Sequence, residues 1–240
     1  MRQLVAQRVR HWGGADLSQA VSPPSTPLLD AWTRSTLEIP QASSIVEVDL
    51  SKVMDYLKAH KDAFRARGVE LTVTSFILQA IADALVTLPE VNSAFQGEHI
   101  RRYRRVDILL ELADGDVLKR GIIAQAETRN LRGLAQEVAA VLANVPASTM
   151  PEGGTFTLTD LGSEAALFAV PPVLPGQAAA LRVGAISERL VPRERGLALV
   201  PLVYLTLSVD HRVLDGATAG SFLNAVKASL EHYSAPNAQS

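Results

Sequence analysis

The sequence predicts an α/β (α+β) fold in which a large mixed sheet is covered by helices on one side. Segments with strand-like patterns are interspersed with segments whose apolar residues recur at helical spacing. The 240 residues are 48% hydrophobic and 20% charged, which is an ordinary globular composition with enough material for a large core. The longest near-apolar run, 197–209, contains Pro201 and is too short to span a bilayer, so it indicates a buried strand. We expect one domain at 28–234, preceded by an arm at 1–27 and followed by a polar tail at 235–240.

Helical and strand patterns alternate in the first half of the chain. Residues 1–27 mix basic and apolar residues and then meet a proline-rich break, which predicts a mobile or docking arm. The stretch SSIVEVDL alternates apolar and polar residues, as a half-buried strand does, and Ser51 is placed to cap the next helix. Gly68 and Pro89 mark the ends of two helices, of which the second has a wide apolar face. The predicted elements here are helices at 28–37, 52–68 and 74–88 and a strand at 43–50.

The second half contributes most of the strands. A turn is predicted at Phe95–Gly97, and a hairpin turn at Asp114–Asp116. Apolar residues at helical spacing predict a helix from Thr128 to Val145, and the segment 187–196 has the composition of a polar hairpin loop. The remaining predictions are strands at 101–113, 117–126, 155–162, 177–186 and 197–209, a proline-rich loop at 170–176 and a helix at 217–233.

Composition and charge argue against several classes of protein. The net charge of −2 and the pI near 6.2 give no overall attraction to nucleic acid. The local exception is a basic cluster, which we interpret as a solvated strand end or the rim of a site for an anionic ligand: Arg101, Arg102, Arg104 and Arg105. The chain has no cysteine, which excludes disulfides and thiolate sites and permits a reducing compartment. The opening residues lack an uninterrupted apolar run, so we expect a cytoplasmic protein without a membrane anchor.

One histidine is placed where it could do chemistry. His211 lies where the buried strand turns toward a helix and is flanked by Asp210, Arg212 and Asp215, while Gly216 is expected to allow a backbone geometry that a β-carbon would forbid. Such a histidine is either a general base or a structural residue hydrogen-bonded at a strand end. The other histidines are expected at the surface, and none has metal-ligand spacing to another: His11, His60, His99 and His232.

Two common kinds of site are not indicated. The sequence has no G-x-S-x-G elbow for a serine nucleophile, and no G-x-G-x-x-G or P-loop for a nucleotide. The remaining possibility is a histidine that acts directly on a bound acceptor. This chemistry needs a donor for a developing oxyanion, which a hydroxyl or amide near Thr157, Thr159 or Gly162 could supply.

The stretch SVDHRVLDGATAGSFL resembles the HxxxDG signature of a known family. That family is the catalytic domain of the E2 (dihydrolipoamide acyltransferase) components of 2-oxoacid dehydrogenases, whose relatives include chloramphenicol acetyltransferase. Four further blocks, LPEVNSAF, RRVDILLELA, GGTFTLTDLG and GQAAALRVGAI, resemble blocks of the family in the same order. The resemblance extends from about Ser35 to Tyr233.

The resemblance implies a two-layer sandwich like that of chloramphenicol acetyltransferase and a homotrimer with each active site between two subunits. CoA, most simply as acetyl-CoA, is then a co-substrate, and no metal or permanently bound cofactor is expected. His211 matches the general base, and Asp215 and Gly216 match positions that shape its loop. Thr159 falls where the family has a serine whose hydroxyl stabilises the oxyanion, and Gly162 belongs to the same motif.

Several departures from the family pattern lie near the expected site. Gln41 and Ala42 stand where lipoyl-using relatives have a histidine and an aromatic residue. Asp160 replaces an asparagine, 163–165 replaces a segment that commonly carries glycine, and 145–153 is shorter than usual. These changes predict a reshaped acceptor pocket.

Three hypotheses for function follow. The chain begins at Met1 without a recognisable lipoyl or subunit-binding domain and ends in SAPNAQS, so we expect an isolated trimer. The first hypothesis is a CoA-dependent transfer of an acyl group to a hydroxyl of a small-molecule or carrier-bound acceptor, as in tetronate or spirotetronate polyketide pathways. The second is transfer to the thiol of dihydrolipoamide on a separate lipoyl protein. The third is a catalytically silent trimeric scaffold.

Overall fold

A mixed sheet of seven strands is the framework of the described chain, and a separate two-stranded hairpin lies beside it. The computed structural model describes residues 27–115, 117–143, 151, 153–162, 166–193 and 196–234. The helices are α1 (Pro27–Glu38), α2 (Ser51–Arg65), α3 (Val73–Thr87), α4 (Leu131–Ala143) and α5 (Gly216–Glu231). The strands are β1 (Gln41–Asp49), β2 (Ser93–Gln96), β3 (His99–Arg102), β4 (Ile108–Asp114), β5 (Val117–Ile123), β6 (Phe156–Asp160), β7 (Ala179–Val183), β8 (Ser187–Arg193) and β9 (Gly196–Asp210).

The order of strands across the main sheet is β5-β4-β6-β7-β9-β1, and β8 pairs with the first half of β9. The pairs β4/β6 and β6/β7 are parallel, and the other pairs are antiparallel. Because β9 has 15 residues, its early part pairs with β8 while its later part lies between β7 and β1. This long strand carries His211 immediately beyond its last residue.

One face of the sheet packs against the helices and forms the core. Leu110, Leu158, Leu181 and Leu205 project from neighbouring strands into this layer and are fully buried. Phe222 of α5 meets the sheet there, with its ring centroid 5.7 Å from that of Phe156. Each fully buried side chain of this size stabilises the fold by about 1.5–3 kcal/mol. The predicted fold class, a mixed sheet covered by helices on one side, is confirmed.

The opposite face of the sheet is crossed by the segment 166–177. The Ala185 amide donates to the Ala166 carbonyl at 3.0 Å, and the Val173 amide donates to the Gln41 side chain at 3.0 Å. The approach is so close that a β-carbon at Gly184 would lie 2.1 Å from the Leu167 carbonyl oxygen. Glycine at 184 is therefore required for this segment to lie on the sheet.

The prediction of a loop at 187–196 is wrong, because 187–193 forms strand β8. Its side chains alternate between half-buried and exposed positions, so it has no run of core residues that would mark it as a strand. The backbone of β9 supplies its hydrogen-bonding partners. Residues 194 and 195, at the tip of this hairpin, lie outside the described residues.

The single strand predicted at 101–113 is also wrong, since it is divided into β3 and β4. The Asn92 side-chain amide donates to the carbonyls of Tyr103 and Arg105, at 3.3 and 2.9 Å. These bonds use the backbone carbonyls between β3 and β4, so those carbonyls bond to a side chain and not to a neighbouring strand. β3 accordingly pairs with β2, whereas β4 enters the main sheet.

The predicted capping role of Ser51 is wrong as well. Leu50 occupies the N-cap position of α2, and Ser51 is the first helical residue. The Asp49 carboxylate accepts the Ser51 amide at 2.8 Å and thereby satisfies one of the free donors at the helix start. The predicted turn at Phe95–Gly97 is wrong for its first two residues, because Phe95 and Gln96 belong to β2, a strand that was not predicted. The remaining elements differ from the predictions at their ends, most visibly α4, which begins at Leu131 because a short 3-10 helix occupies Ala126–Thr128.

In the part of the chain that the structure describes, no helix is long and apolar enough to cross a membrane. The predicted arm, apart from the start of α1, and the predicted tail at 235–240 lie outside that part.

Candidate functional site

His211 lies in a tight turn between β9 and α5. Its backbone amide donates to the Pro40 carbonyl at 2.8 Å, which attaches the turn to the residue preceding β1. The Asp210 carbonyl accepts the amides of Val213 and Leu214 at 2.9 and 3.0 Å, so the chain reverses within a few residues. The backbone of His211 is therefore fixed by neighbouring elements, while the residue as a whole is exposed in the single chain.

A bidentate ion pair holds the residues on either side of His211. The Asp210 carboxylate is buried and accepts Arg212 Nε at 2.9 Å and a terminal guanidinium nitrogen at 2.7 Å. The hydrogen bond to Asp210 raises the pKa of Arg212, and its guanidinium lies 4.3 Å from the ring centroid of Phe95. The sequence placed both residues beside His211 but did not indicate that they pair with each other.

Asp215 caps α5 and does not bond to the imidazole. Its carboxylate accepts the Thr218 amide at 2.8 Å, and this bond lowers the pKa of Asp215 below its ordinary value. Gly216 follows with an ordinary φ, and a β-carbon there would meet no atom within 4 Å. We expected that only glycine would fit at position 216. Within the described residues of one chain, nothing would clash with a side chain there.

A cleft of about 290 Å³ adjoins this turn. It lies between Glu38 at the end of α1, Phe95 of β2 and the Pro175-Gly176 segment, with Arg212 at its edge. A larger cavity of about 660 Å³ lies at the other end of β9, near Asp49 and Arg193, but contains none of the predicted site residues. We base the candidate site on the cleft at the turn because two of its lining residues, Asp210 and Arg212, flank His211, which does not itself line the cleft.

Thr159 lies in β6, on the sheet face turned away from the helices, and is nearly buried. Its hydroxyl donates to Glu111 Oε2 at 2.9 Å, and Glu111 Oε1 accepts Arg120 Nε at 2.7 Å. All three residues are more than nine-tenths buried. Glu111 and Arg120 were not singled out from the sequence, although charged residues within otherwise apolar strands were the available signal.

One chain does not bring Thr159 and His211 together. Thr159 is in register with Arg182 of β7, which lies opposite Thr206 of β9, so two strand spacings of about 5 Å separate the first residue from the last. His211 lies five residues beyond Thr206, about 17 Å along the strand. The two predicted catalytic residues are thus about 20 Å apart in a single chain.

Asp160 and Gly162 shape the turn that follows β6. One Asp160 oxygen accepts the Thr74 hydroxyl of α3 at 2.8 Å, and the other accepts the Gly162 amide at 3.0 Å. Gly162 has a φ of +62°, in the left-handed region that favours glycine. Residues 163–165 lie outside the described residues.

The other described histidines have local roles. His60 Nδ1 lies 2.9 Å from the Tyr56 carbonyl, and His232 Nδ1 lies 3.1 Å from the Ala228 carbonyl. His99 is exposed in β3, and His11 lies outside the described residues. No group of three or more acidic or histidine side chains in the described ranges is arranged to hold a metal ion.

Comparison with known proteins identifies the family. Residues 22–237 match the model of the 2-oxoacid dehydrogenases acyltransferase family, catalytic domain. The chain belongs to this family. It is 34% identical over 204 residues to the lipoamide acyltransferase component of the branched-chain alpha-keto acid dehydrogenase complex of Bacillus subtilis, covering 82% of this chain and 48% of that relative. It is also 34% identical over 214 residues to the acetyltransferase component of the pyruvate dehydrogenase complex of Mycobacterium tuberculosis, covering 83% and 38%.

The acyltransferase fold is equally clear among solved structures. A probable dihydrolipoamide acetyltransferase from Listeria monocytogenes superposes with a TM-score of 0.82 at 34% identity, covering 93% of this chain and 97% of that one. Chloramphenicol acetyltransferase, at 15% identity and a TM-score of 0.53, shares the fold alone. This confirms the two-layer architecture that the resemblance implied. The chain spans less than half the length of the Bacillus and Mycobacterium relatives named above.

The dihydrolipoamide acetyltransferase of Azotobacter vinelandii gives a comparison at the site. It superposes with a TM-score of 0.79 at 27% identity, covering 91% of this chain and 96% of that one. Work on that enzyme concerns the role of one serine, one histidine and one asparagine in its catalytic mechanism, where the asparagine lies four positions after the histidine and the serine 52 positions before it. In this acyltransferase-family chain, Asp215 lies four positions after His211, and Thr159 lies 52 positions before it.

Proposed function

We propose that this chain is an acyltransferase in which His211 is the general base that activates an acceptor for attack on an acyl-CoA. The observation that carries the proposal is the turn after β9, where a histidine with a fixed backbone lies between two residues that line a cleft, Asp210 and Arg212. This histidine has the same spacing to Thr159 and Asp215 as the three residues studied in the Azotobacter enzyme. The names of the relatives, all acyltransferase components, support it. A cytoplasmic location is part of the proposal because CoA thioesters are intracellular metabolites.

The proposed reaction transfers one acyl group and one proton. Neutral His211 accepts the proton of an acceptor thiol or hydroxyl, and the acceptor atom then bonds to the carbonyl carbon of the thioester. The carbonyl oxygen carries negative charge until the carbon–sulfur bond breaks. The CoA thiolate leaves and takes the proton back from the imidazolium. His211 thus ends the cycle neutral, with no covalent intermediate on the protein.

We further propose that the working unit is a homotrimer with an active site between neighbouring subunits. Two observations support this arrangement. Thr159 and His211 are about 20 Å apart in one chain, so a shared site needs Thr159 of the partner subunit. In addition, the β8–β9 hairpin presents Leu190, Leu197 and Leu199 with 58–70% of their surface exposed, an apolar patch suited to a second copy.

The relatives favour a thiol acceptor over the hydroxyl acceptor of our first hypothesis. Those named above are acyltransferase components of dehydrogenase complexes, and the Bacillus protein is a lipoamide acyltransferase. We therefore propose a dihydrolipoyl thiol, carried on a separate protein or domain, as the first acceptor to test. The hydroxyl of a small molecule, as in tetronate-type pathways, is the second.

The contacts of Gln41 are the reason to test a hydroxyl acceptor as well. Gln41, which stands where lipoyl-using relatives were expected to have a histidine, uses its side chain within the fold. Its amide nitrogen donates to the Ser35 carbonyl at 2.9 Å, and its oxygen accepts the Val173 amide at 3.0 Å. The Gln41 side chain therefore links α1 to the segment 166–177. Because an amide does not titrate, it cannot exchange a proton with an acceptor.

The test is CoA release from acetyl-CoA with dihydrolipoamide or with hydroxyl acceptors. Replacing His211 by alanine is expected to lower kcat by about 10²–10⁴-fold, because general-base catalysis contributes that much, while the oligomeric state is unchanged. The matched control is His60→Ala, at an exposed histidine of α2. A His211→Ala variant that keeps its rate would refute the mechanism. Absence of CoA release by the unmodified protein with either class of acceptor would favour the silent scaffold.

A further inference from the structure

A row of polar side chains crosses the sheet face that turns away from the helices. Strand register places Arg120, Glu111, Thr159, Arg182 and Thr206 side by side on five successive strands. Partners in register point to the same face, and the residues flanking Arg182, Leu181 and Val183, belong to the hydrophobic core on the other side. The row therefore lies on the sheet face away from the helices, and its central member is Thr159, the proposed oxyanion residue.

The first three members of the row satisfy one another. Glu111 accepts Arg120 through one oxygen at 2.7 Å and Thr159 through the other at 2.9 Å. These three residues consist of the Glu111–Arg120 ion pair and the Thr159 hydroxyl, and together they carry no net charge. Its single hydroxyl proton, that of Thr159, is already donated.

The other two members have no such partners. Arg182 is half-buried and makes no hydrogen bond or ion pair with the residues that the structure describes; burial lowers its pKa, and the charge of Glu111 partly opposes that shift. Thr206 is fully buried, and its hydroxyl has no hydrogen-bond partner within the described ranges. A guanidinium and a buried hydroxyl thus lie side by side, both with unused donors, and the row carries a net charge of about +1.

We propose that Arg182 and Thr206, which lie one and two strands away from Thr159, bind a carboxylate carried by the acyl group or by the acceptor. The proposal rests on the acyltransferase function proposed above and specifies the substrate class of that site. A partly buried cation is costly when the carboxylate that acts on it, that of Glu111, is already paired with Arg120, and an anionic ligand removes that cost. The planar fork of a guanidinium also matches a carboxylate in a bidentate manner, which an ammonium cannot do.

The first test measures binding and does not depend on turnover. Isothermal titration calorimetry compares succinyl-CoA with acetyl-CoA, and dihydrolipoate with dihydrolipoamide, because each pair differs by a carboxylate. The unmodified protein is expected to bind the anionic member of one pair about 10- to 100-fold more tightly, as the loss of a hydrogen bond to a charged group implies. The pair that shows the preference identifies whether the acyl group or the acceptor carries the carboxylate.

The variant Arg182→Gln is expected to remove this preference and to leave binding of the neutral member within about threefold, while Arg182→Lys retains part of it. The matched control is Arg65→Gln, at an exposed arginine of α2 whose nearest carboxylate oxygen, on Glu70, is 3.9 Å away. Equal binding of both members in both pairs by the unmodified protein would overturn the proposal. So would a loss in Arg182→Gln that is as large for the neutral members as for the anionic ones.

A second readout separates ligand binding from a structural role. If the role of Arg182 is to bind a ligand, Arg182→Gln leaves the Tm of the ligand-free protein unchanged or raises it, and the mass of the oligomer is unchanged. A lower Tm or a smaller oligomer would instead show that Arg182 has a structural role, within its own chain or against a second copy, and this would overturn the proposal. Absence of acyl transfer with any acceptor would contradict the proposed function alone, since the titration still decides whether the carboxylate site exists.

Discussion

At the scale of single residues, the proposed mechanism gives Thr159 two competing partners, Glu111 and the oxyanion. Its hydroxyl has one proton, and Glu111 accepts it in the ligand-free chain. Thr159 can donate to an oxyanion only after its hydroxyl turns away from Glu111. In the proposed mechanism, the energy of that rotation contributes to the reaction barrier, and the Glu111–Arg120 pair influences its size.

The buried pair itself gives a prediction about stability. Replacing Glu111 by alanine leaves Arg120 buried without a counter-charge, which is expected to lower the free energy of unfolding by about 3–5 kcal/mol. Urea denaturation followed by circular dichroism measures the change. Replacing both Glu111 and Arg120 by leucine removes both charges together, so this double variant should recover most of the loss. A single variant that loses less than about 1 kcal/mol would show that Arg120 finds another partner.

The sequence offered a signal for one part of the candidate site and no direct signal for the other. His211, Asp215 and Thr159 were singled out because they fall in short motifs that resemble those of the family. Glu111, Arg120 and Arg182 lie on three strands that are far apart in the chain, and only strand register brings them into one row. A single sequence carries no direct signal of register between distant strands, so this row could not be predicted.

At the scale of elements, the strands that face the core were predicted better than the exposed ones. β6, β7 and the later part of β9 bury one face in the helical layer and therefore have marked apolar patterns. β8 has no core face, contains Pro192, and is a strand because the first half of β9 pairs with it. Its hydrogen-bonding partner, rather than its own residues, determines its structure.

An aromatic cluster shows how three helical segments are held together. Tyr233, just after α5, lies edge-on to Phe76 of α3 and Tyr56 of α2, with ring centroids 4.9 and 5.2 Å apart. The Tyr233 hydroxyl is buried, and no described residue is its hydrogen-bond partner. Burial raises the pKa of Tyr233 to about 12, from an ordinary value of 10.0.

This raised pKa predicts a loss of stability at alkaline pH. An unfolded chain ionises this tyrosine near pH 10, whereas the folded protein keeps it neutral until about pH 12. The contribution is therefore fully present below pH 10 and lost as the pH rises toward 12. Tyr233→Phe keeps the ring contacts and should show a shallower decline of unfolding free energy over that range, with stability at neutral pH raised by about 1 kcal/mol. Tyr103→Phe, outside the cluster, is the control, and equal slopes for all three proteins would contradict the prediction.

At the scale of the whole molecule, the proposed trimer requires an apolar contact that a single chain leaves uncovered. Leu190, Leu197 and Leu199 are 66%, 70% and 58% exposed. Strand pairing places Leu190 directly opposite Leu199, so these side chains form one continuous patch. A trimer would have three times the chain mass of 25.7 kDa, about 77 kDa.

Charged substitutions in this patch are expected to dissociate the trimer. Leu197→Glu combined with Leu199→Glu places two carboxylates in the contact, and the mass from light scattering should fall from about 77 kDa to that of one chain of 25.7 kDa. The matched control is Val86→Glu, on an isolated exposed residue of α3 that is 58% accessible. An unchanged mass for the double variant would place the subunit contact elsewhere.

β9 links these scales because one strand of 15 residues, about 50 Å long, carries the apolar patch near its first residue and His211 just beyond its last. In the proposed assembly, the strand that recruits a neighbour is thus the strand that delivers the base. A dissociated chain could then be fully folded and still lack a complete active centre. The quantity of working enzyme would follow the concentration of trimer and not that of chain, so dilution alone would act as an inhibitor.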